Sequence, residues 1–161
     1  MKKKKRIYLE TSIISHLDAP DRPDREAETL RLWNEIKAGK FEVVLGEPVF
    51  LEISDCKTAK RFFMAEEIES IDYERIDKDE VAETLAIEYI SRGGLPSRSA
   101  VDALHIALAT LANCDCVVSW NCKHIVTLRA LGAVNEVNRE RGLKMMGLLT
   151  PESVKGDDDE F

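Results

Sequence analysis

The chain has 161 residues, of which 44% are hydrophobic and 33% charged, a balance typical of one globular domain with a substantial core. Its formal net charge of −7 argues against a general nucleic-acid-binding protein, since such proteins present a basic surface. No apolar run is long enough to span a membrane, and the first residues lack the apolar core of a signal peptide. We therefore expect a cytoplasmic protein.

Strand and helix patterns alternate along the chain. An amphipathic pattern predicts that Leu30 and Val81 lie on the buried faces of their helices, and Thr11 or Ser12 is the expected cap of the first helix. The predicted elements, in chain order, are strand 6–10, helix 11–18, helix 26–39, strand 41–46, helices 47–56 and 57–70, strand 71–76, helices 78–93 and 97–113, strand 116–120, helix 128–142 and strand 144–149.

This alternation indicates βαβ units, and hence a mostly parallel sheet covered by helices on both faces. The fold class that follows is α/β, as a three-layer α/β/α sandwich. No linker or internal repeat divides the sequence, so we expect one domain over residues 1–154. Residues 155–161 contain the run "GDDDEF" and are expected to form an acidic, disordered tail.

Three of the four cysteines and a histidine form the pattern C-x-C-x5-C-x-H, which raises the question of zinc. A predicted strand lies inside this pattern, and a strand advances about 3.3 Å per residue. Cys116 and Cys122 would therefore lie too far apart to share one ion. Buried structural thiols are the better interpretation.

Polar residues occur where ligands bind in open parallel sheets, at the carboxyl ends of the strands. Glu10 directly follows the first strand, and Asn121 directly follows the strand that ends in "VVSW". Asp102 lies near the start of an unusually apolar helix, and Glu52 lies on the helix after the second strand. These four side chains could meet at one edge of the sheet.

Each residue also has a simpler explanation. Glu10 could be a solvated loop carboxylate. Ser99 and Asp102 match the spacing of a helix capping box, in which an acid is favoured. Glu47 competes with the helical acid, although its place beside Pro48 suggests the first turn of a helix. A lone His105 in an apolar helix is usually a hydrogen-bonded core residue.

Taken together, the four side chains indicate a divalent cation. Mg²⁺ and Mn²⁺ prefer oxygen ligands, and clustered carboxylates repel one another unless a cation neutralises them. Such an ion can polarise a phosphodiester and lower the pKa of a bound water. With three acids and one amide, we expect one firmly bound ion.

The motifs that carry these residues resemble the PIN-domain family, and within it the VapC-like toxins of toxin–antitoxin pairs. The similarity runs through "YLETSIIS", "VFLEI", "DALHIALA" and "VVSWNCKHI", in this order, and it covers nearly the whole chain. The resemblance implies an α/β/α sandwich with a parallel sheet of about five strands. It also implies a ribonuclease that depends on Mg²⁺ or Mn²⁺.

By this resemblance, Glu10, Glu52 and Asp102 would hold the metal, and Asn121 would bind it through water or orient the attacking water. The family usually has Asp at the first position, and often at the fourth, so Glu10 and Asn121 are departures. Glu10 reaches one methylene further than Asp, and Asn121 contributes no charge, so we expect a displaced metal and a lower affinity. Thr11 and the following Ser12 match hydroxyl residues that line the pocket and contact the substrate or an outer-shell water.

The resemblance further implies partners: an RNA substrate, a cognate antitoxin that sends a basic residue into the acidic site, and a second copy in a homodimer. Lys123, Arg92 or Arg98 could contact the RNA backbone, and Trp120 could stack on a base, although a strand Trp is usually a core residue.

Three hypotheses stay open at this point. The first is a metal-dependent endoribonuclease that acts as a toxin. The second is a catalytically silent PIN-like module that binds an antitoxin or RNA, which the neutral Asn121 favours. The third is another Mg²⁺ enzyme, such as a phosphohydrolase, but that chemistry requires a nucleophilic Asp where this chain has Glu10.

Overall fold

A computed structural model describes residues 3–156 as a sheet of parallel strands with helices on both faces. The strands are β1 (Lys5–Leu9), β2 (Phe41–Gly46), β3 (Glu74–Ile76), β4 (Cys116–Val118) and β5 (Gly147–Leu149). The α-helices are α1 (Thr11–Ser15), α2 (Pro23–Lys37), α3 (Glu47–Ser54), α4 (Lys60–Glu69), α5 (Glu80–Ser91), α6 (Ala100–Leu111) and α7 (Leu128–Glu140).

The five strands of the sheet lie in the order β3-β2-β1-β4-β5, and every neighbouring pair is parallel. The predicted fold class is thereby confirmed. From β1 the chain builds the sheet outward through β2 and β3, and it then returns to place β4 on the other side of β1. The strand order therefore reverses between β1 and β4, which creates a crevice at their carboxyl ends.

Successive side chains of each strand enter the two different cores. On β1, Ile7 and Leu9 pack with the residues of α1 to α4, whereas Tyr8 packs with those of α5 to α7. On β2, Val43 packs in the core of α1 to α4, and Val44 packs in the core of α5 to α7. Because both faces are covered, the central strands β1, β2 and β4 are largely buried on both sides, whereas the edge strand β3 is mostly exposed.

Several local predictions need correction. Helix α2 begins at Pro23 rather than at residue 26, because a proline without an N–H is well suited to the first turn. Leu30 and Val81 are exposed by 41% and 57%, so both lie outside the buried faces of α2 and α5. The cap of α1 is Glu10 rather than Thr11 or Ser12.

Glu47 begins α3, as its proline neighbour suggested, and its carboxylate accepts a hydrogen bond from the Lys78 amide. Of the predicted tail, residues 157–161 lie outside the described residues, whereas the Gly156 amide donates to the Glu35 carboxylate. Within the described range, none of the helices combines the length and apolar character needed to cross a membrane.

Candidate metal centre

The crevice between β1 and β4 collects three acidic side chains and a serine from four parts of the chain. Glu10 follows β1 directly and caps α1, and Ser119 follows β4 directly. The helix after β2, α3, contributes Glu52, and α6 contributes Asp102 from its first turn. Each of these positions lies next to the carboxyl end of a central strand, or on the helix packed beside it. We call Glu10, Glu52 and Asp102 the acidic pocket.

Glu10 is held by two serine hydroxyls. Its side chain is buried, and its Oε1 accepts hydrogen bonds from Ser12 Oγ and Ser119 Oγ, both at 2.6 Å. Each serine oxygen in turn accepts a backbone amide from the segment after β4: Trp120 N for Ser12 and Asn121 N for Ser119. The second oxygen of Glu10 accepts no hydrogen bond from any described residue.

Glu52 lies at the mouth of the pocket, with 41% of its side chain exposed. Its Oε1 accepts hydrogen bonds from Thr11 Oγ1 and His105 Nε2, both at 2.7 Å. Burial is the largest single influence on the pKa of Glu52 and raises it, but the His105 and Thr11 contacts outweigh burial and leave the pKa below its usual value. Glu52 is therefore ionised at neutral pH, with Oε1 engaged and Oε2 available.

The surroundings of Asp102 disfavour its ionised form, so its pKa lies above the ordinary value. Burial and the negative charge of Glu10 raise its pKa, Glu52 adds to this, and the two nearby histidines only partly compensate. The capping-box explanation does not hold, because the Ser99 side chain makes no capping bond and the Ser99 amide donates to Pro96 O. A cation bound nearby would instead favour the ionised form of Asp102 and lower its pKa.

Asn121 faces the pocket with its amide nitrogen. Its Oδ1 accepts the His124 backbone amide at 2.9 Å, which fixes the orientation of the side chain, and its Nδ2 lies 3.4 Å from Asp102 Oδ2. The arrangement supports a role in holding Asp102. The predicted contact of Asn121 with a cation or its water stays a prediction.

The structure brings two of the predicted ligands, Glu10 and Glu52, together with His105, whereas Asp102 lies outside this closest group of ligand atoms. Ligand atoms of Glu10, Glu52 and His105 all lie within 4.8 Å of one another, a spacing that one metal ion can span. Asp102 lies close enough to Glu10 and Glu52 for their charges to alter its pKa. Thr11 and Ser12 line the same crevice, but their hydroxyls are directed at Glu52 and Glu10.

Sequence reasoning missed three residues of this region. Ser119 is a polar residue in an otherwise apolar strand end, which is a signal that could have been used. The sequence predicts His105 to be a hydrogen-bonded core residue, and it is fully buried, but it does not predict the bond from Nε2 to Glu52. Tyr8, fully buried on β1, binds the other ring nitrogen of His105, and nothing in the sequence pattern indicated it.

Other candidate residues lie elsewhere or serve other contacts. Trp120 is buried, beneath the guanidinium of Arg25 at 5.0 Å, and donates to Thr29 Oγ1, so its ring is not presented for base stacking. Arg92 joins α5 to α7 through Glu136 and Glu140. Lys123 and Arg98 are exposed.

The zinc pattern is not assembled in the described part of the chain. Burial raises the pKa of Cys114 and Cys116 to about 12, so both thiols stay protonated, while Cys122 is exposed. Within residues 3–156, the group of potential ligands close enough to share a metal is Glu10, Glu52 and His105.

Comparison with known proteins adds no identification: neither a protein-family model nor a curated protein matches the chain. The acidic pocket and its hydrogen bonds are therefore the basis for a functional proposal.

Proposed function

We propose that this protein is a metal-dependent endoribonuclease of the PIN-domain type, acting as the VapC-like toxin of a toxin–antitoxin pair. The observation that carries the proposal is the acidic pocket at the β1/β4 crevice. There, Glu10 and Glu52 each have one oxygen held by two donors and the other available. A carboxylate fixed in this way is prepared to bind a cation with its second oxygen.

Mg²⁺ or Mn²⁺ fits the donor set, because the available atoms are carboxylate oxygens at a partly exposed site. When bound, such an ion supplies Lewis acidity toward a phosphodiester and a water of lowered pKa. In this proposal Glu10 and Glu52 hold the ion directly, and Asp102, which lies outside the group of ligand atoms within 4.8 Å of one another, completes the site as the third acid. Ser12 and Ser119 orient Glu10, and Thr11 orients Glu52.

The remaining pocket residues take supporting roles. Asn121 donates to Asp102 and keeps that carboxylate turned toward the pocket. Lys123 and Arg98 are exposed, lie close in sequence to Asn121 and Asp102, and are the proposed contacts to the RNA backbone. These cations would place positive charge beside the acidic pocket, in a chain whose net charge of −7 otherwise repels RNA.

The proposal implies two protein partners. A cognate antitoxin would bring a basic side chain to the acidic pocket and replace the charge of the metal. A homodimer is the proposed state of the toxin, and the cytoplasm is its proposed location, since both its substrate and its antitoxin would be met there. Co-expression with the product of a short neighbouring reading frame, followed by co-purification, tests the antitoxin.

Cleavage of RNA tests the proposed activity. Purified protein is incubated with single-stranded and structured RNA, with Mn²⁺, with Mg²⁺ or with EDTA. We expect cleavage with either ion and none with EDTA. Asp102→Asn removes a proposed metal ligand and should reduce the rate at least about 100-fold, as loss of a charge-stabilising group typically does.

Asp115→Asn is the matched control. Asp115 lies at the opposite end of β4, where it pairs with Lys144 and the Arg6 amide. This variant should retain the wild-type rate. Equal cleavage by wild type and Asp102→Asn would instead point to a contaminating nuclease and remove the proposal.

A second candidate is a catalytically silent PIN-like module that binds an antitoxin or RNA. The observation that favours it is Asn121, which is neutral and presents an amide nitrogen where a fourth carboxylate could stand. Titration with Mn²⁺ separates the two candidates. A silent module should bind no Mn²⁺ in a manner that depends on Glu10 and Asp102.

A further inference from the structure

Behind Glu52, a chain of hydrogen bonds leads from the pocket into the core. His105 Nε2 lies 2.7 Å from Glu52 Oε1, and His105 Nδ1 lies 2.6 Å from Tyr8 Oη. Both Tyr8 and His105 are fully buried, and their rings meet edge to face with centroids 5.6 Å apart. The partly exposed carboxylate of Glu52 is thus connected to two fully buried side chains.

The direction of these hydrogen bonds follows from the groups involved. An ionised carboxylate only accepts hydrogen bonds, so the proton at Nε2 belongs to His105. The Tyr8 phenol also needs an acceptor for its proton, and Nδ1 is the acceptor within reach in the described structure. Tyr8 therefore donates to Nδ1, and the histidine is held as the Nε2–H tautomer.

The backbone around Tyr8 leaves room for this arrangement. A Cβ added at Gly46, the last residue of β2, would lie 2.2 Å from Tyr8 Oη. The missing side chain at Gly46 lets the phenol occupy the position from which it reaches His105. The next residues of the chain form α3, which carries Glu52.

We propose that His105, held by Tyr8, is a positioning residue that fixes Glu52 so that its second oxygen faces the cation. This rests on the proposed function to the extent that a cation binds the acidic pocket. Of the two glutamates, Glu52 is the one that needs such a restraining hydrogen bond. Unlike the buried Glu10, Glu52 is a partly exposed side chain that would otherwise sample several rotamers.

The competing arrangement makes His105 a direct ligand. Its Nε2 lies close enough to Glu10 and Glu52 for one ion to reach all three. That arrangement requires Nε2 to lose its proton and its bond to Glu52. It also leaves the Tyr8 proton without an acceptor among the described residues.

Three variants test the proposal by Mn²⁺ affinity, measured by titration calorimetry. His105→Leu removes the donor and should weaken binding about 10- to 100-fold, as loss of a group that orients a ligand typically does. His105→Gln keeps a side-chain N–H that can reach Glu52 and should restore most of the affinity. Tyr8→Phe should weaken binding by less than His105→Leu.

Tyr89→Phe is the matched control for Tyr8→Phe. Tyr89 is also fully buried, and its phenol bonds Thr110 and Asn138, away from the acidic pocket. Both variants lose one buried hydroxyl and should lower the melting temperature. Only Tyr8→Phe should change the Mn²⁺ affinity. If both variants changed the Mn²⁺ affinity equally, Tyr8 would contribute only to stability.

Two spectroscopic measurements remain informative if a variant folds poorly. Nitrogen NMR of the metal-free wild type should show His105 protonated at Nε2 and unprotonated at Nδ1. Pulsed EPR of the Mn²⁺ complex should show no directly coordinated nitrogen. Either the opposite tautomer or a coordinated histidine nitrogen would overturn the proposal.

The outcomes separate this inference from the proposed function. If wild type binds no Mn²⁺, both fail. If it binds Mn²⁺ but cleaves no RNA, the nuclease proposal fails, and the variants still decide the role of His105. If it cleaves RNA and His105→Leu binds Mn²⁺ as tightly as wild type, the inference alone fails.

Discussion

Glu10 and Glu52 share one arrangement although they differ in burial and in the elements that carry them. Each has one oxygen that accepts two side-chain hydrogen bonds, from serines for Glu10 and from Thr11 and His105 for Glu52. Such bonds reduce the conformational entropy that a carboxylate loses when it binds an ion. Glutamate has a longer side chain than the aspartate that is usual in the PIN-domain family, which the sequence resembles. The two hydrogen bonds therefore compensate for the greater conformational freedom of the glutamate side chain.

Asp102→Asn should stabilise the metal-free protein while it removes metal binding. The pKa of Asp102 is raised by burial and by Glu10, so folding is penalised when this carboxylate ionises. The stabilising effect should be absent well below the ordinary pKa of an aspartate and should grow as the pH rises through the raised pKa of Asp102 in the folded protein. Thermal unfolding with EDTA should show a higher melting temperature for the variant than for wild type at neutral pH, and no such difference in acid.

Asp115→Asn should show the opposite trend. Burial raises the pKa of Asp115, but the Lys144 ammonium and the Arg6 amide outweigh burial and lower it. Asp115 therefore contributes stability above its ordinary pKa that is lost as the pH falls. The variant should melt below wild type at neutral pH and approach it in acid. The same direction for both variants would contradict the electrostatic account of the pocket.

Gly46→Ala should be destabilising despite the small size of the change. The added methyl would lie 2.2 Å from Tyr8 Oη and 3.0 Å from a Leu108 methyl, and both of those residues are fully buried. Overpacking of this kind costs about 1–3 kcal/mol. Urea unfolding measures the loss. Adding Tyr8→Phe should recover part of it, because the hydroxyl that meets the new methyl is then gone.

At the scale of elements, Gly132 of α7 offers a glycine-to-alanine substitution that can be compared with Gly46→Ala. Gly132 lies inside this helix, and a Cβ there would meet no atom within 4 Å. Gly132→Ala should therefore gain the usual helix propensity difference of about 0.5–1 kcal/mol. A loss of stability in the same urea experiment would show that α7 packs differently from the structure described above.

The sequence predicted most elements because their patterns are strong. The apolar run of α6 and the β-branched strands β1 and β2 could be assigned without ambiguity. The start of α2 was missed because the prolines of 19–25 suggested a loop, although Pro23 suits a first helical position. The pattern predicts Val81 on the buried face of α5, but that face is formed by Ala82, Leu85, Ala86 and Tyr89, and Val81 lies outside it.

The sequence predicted the site residues whose positions follow from the strand topology. It did not predict the hydrogen bonds between side chains of different layers. Glu10 and Asn121 follow adjacent strands, so a parallel sheet brings them to one edge. The bond between His105 and Glu52 joins residues 53 positions apart, and that between Tyr8 and His105 joins residues 97 apart. No periodicity in the sequence encodes such pairs.

For the whole molecule, a cation at the pocket should act as a stabilising ligand. A ligand at 100 times its dissociation constant adds about 2.7 kcal/mol, which corresponds to roughly 5–10 °C in a chain of this length. Thermal unfolding with and without Mn²⁺ measures the shift, and EDTA should reverse it. Asp102→Asn should show no shift, whereas Asp115→Asn should shift as wild type does.

The pocket also connects the two helical layers that lie on opposite faces of the sheet. Glu52 is on α3, in the layer of α1 to α4, and His105 is on α6, in the opposite layer. An ion bound there would tie these layers together at the open edge of the strands, so that neither could detach locally without releasing it. Amide hydrogen exchange in α3 and α6 should then slow in concert on adding Mn²⁺, and separate opening events should merge into one cooperative unit.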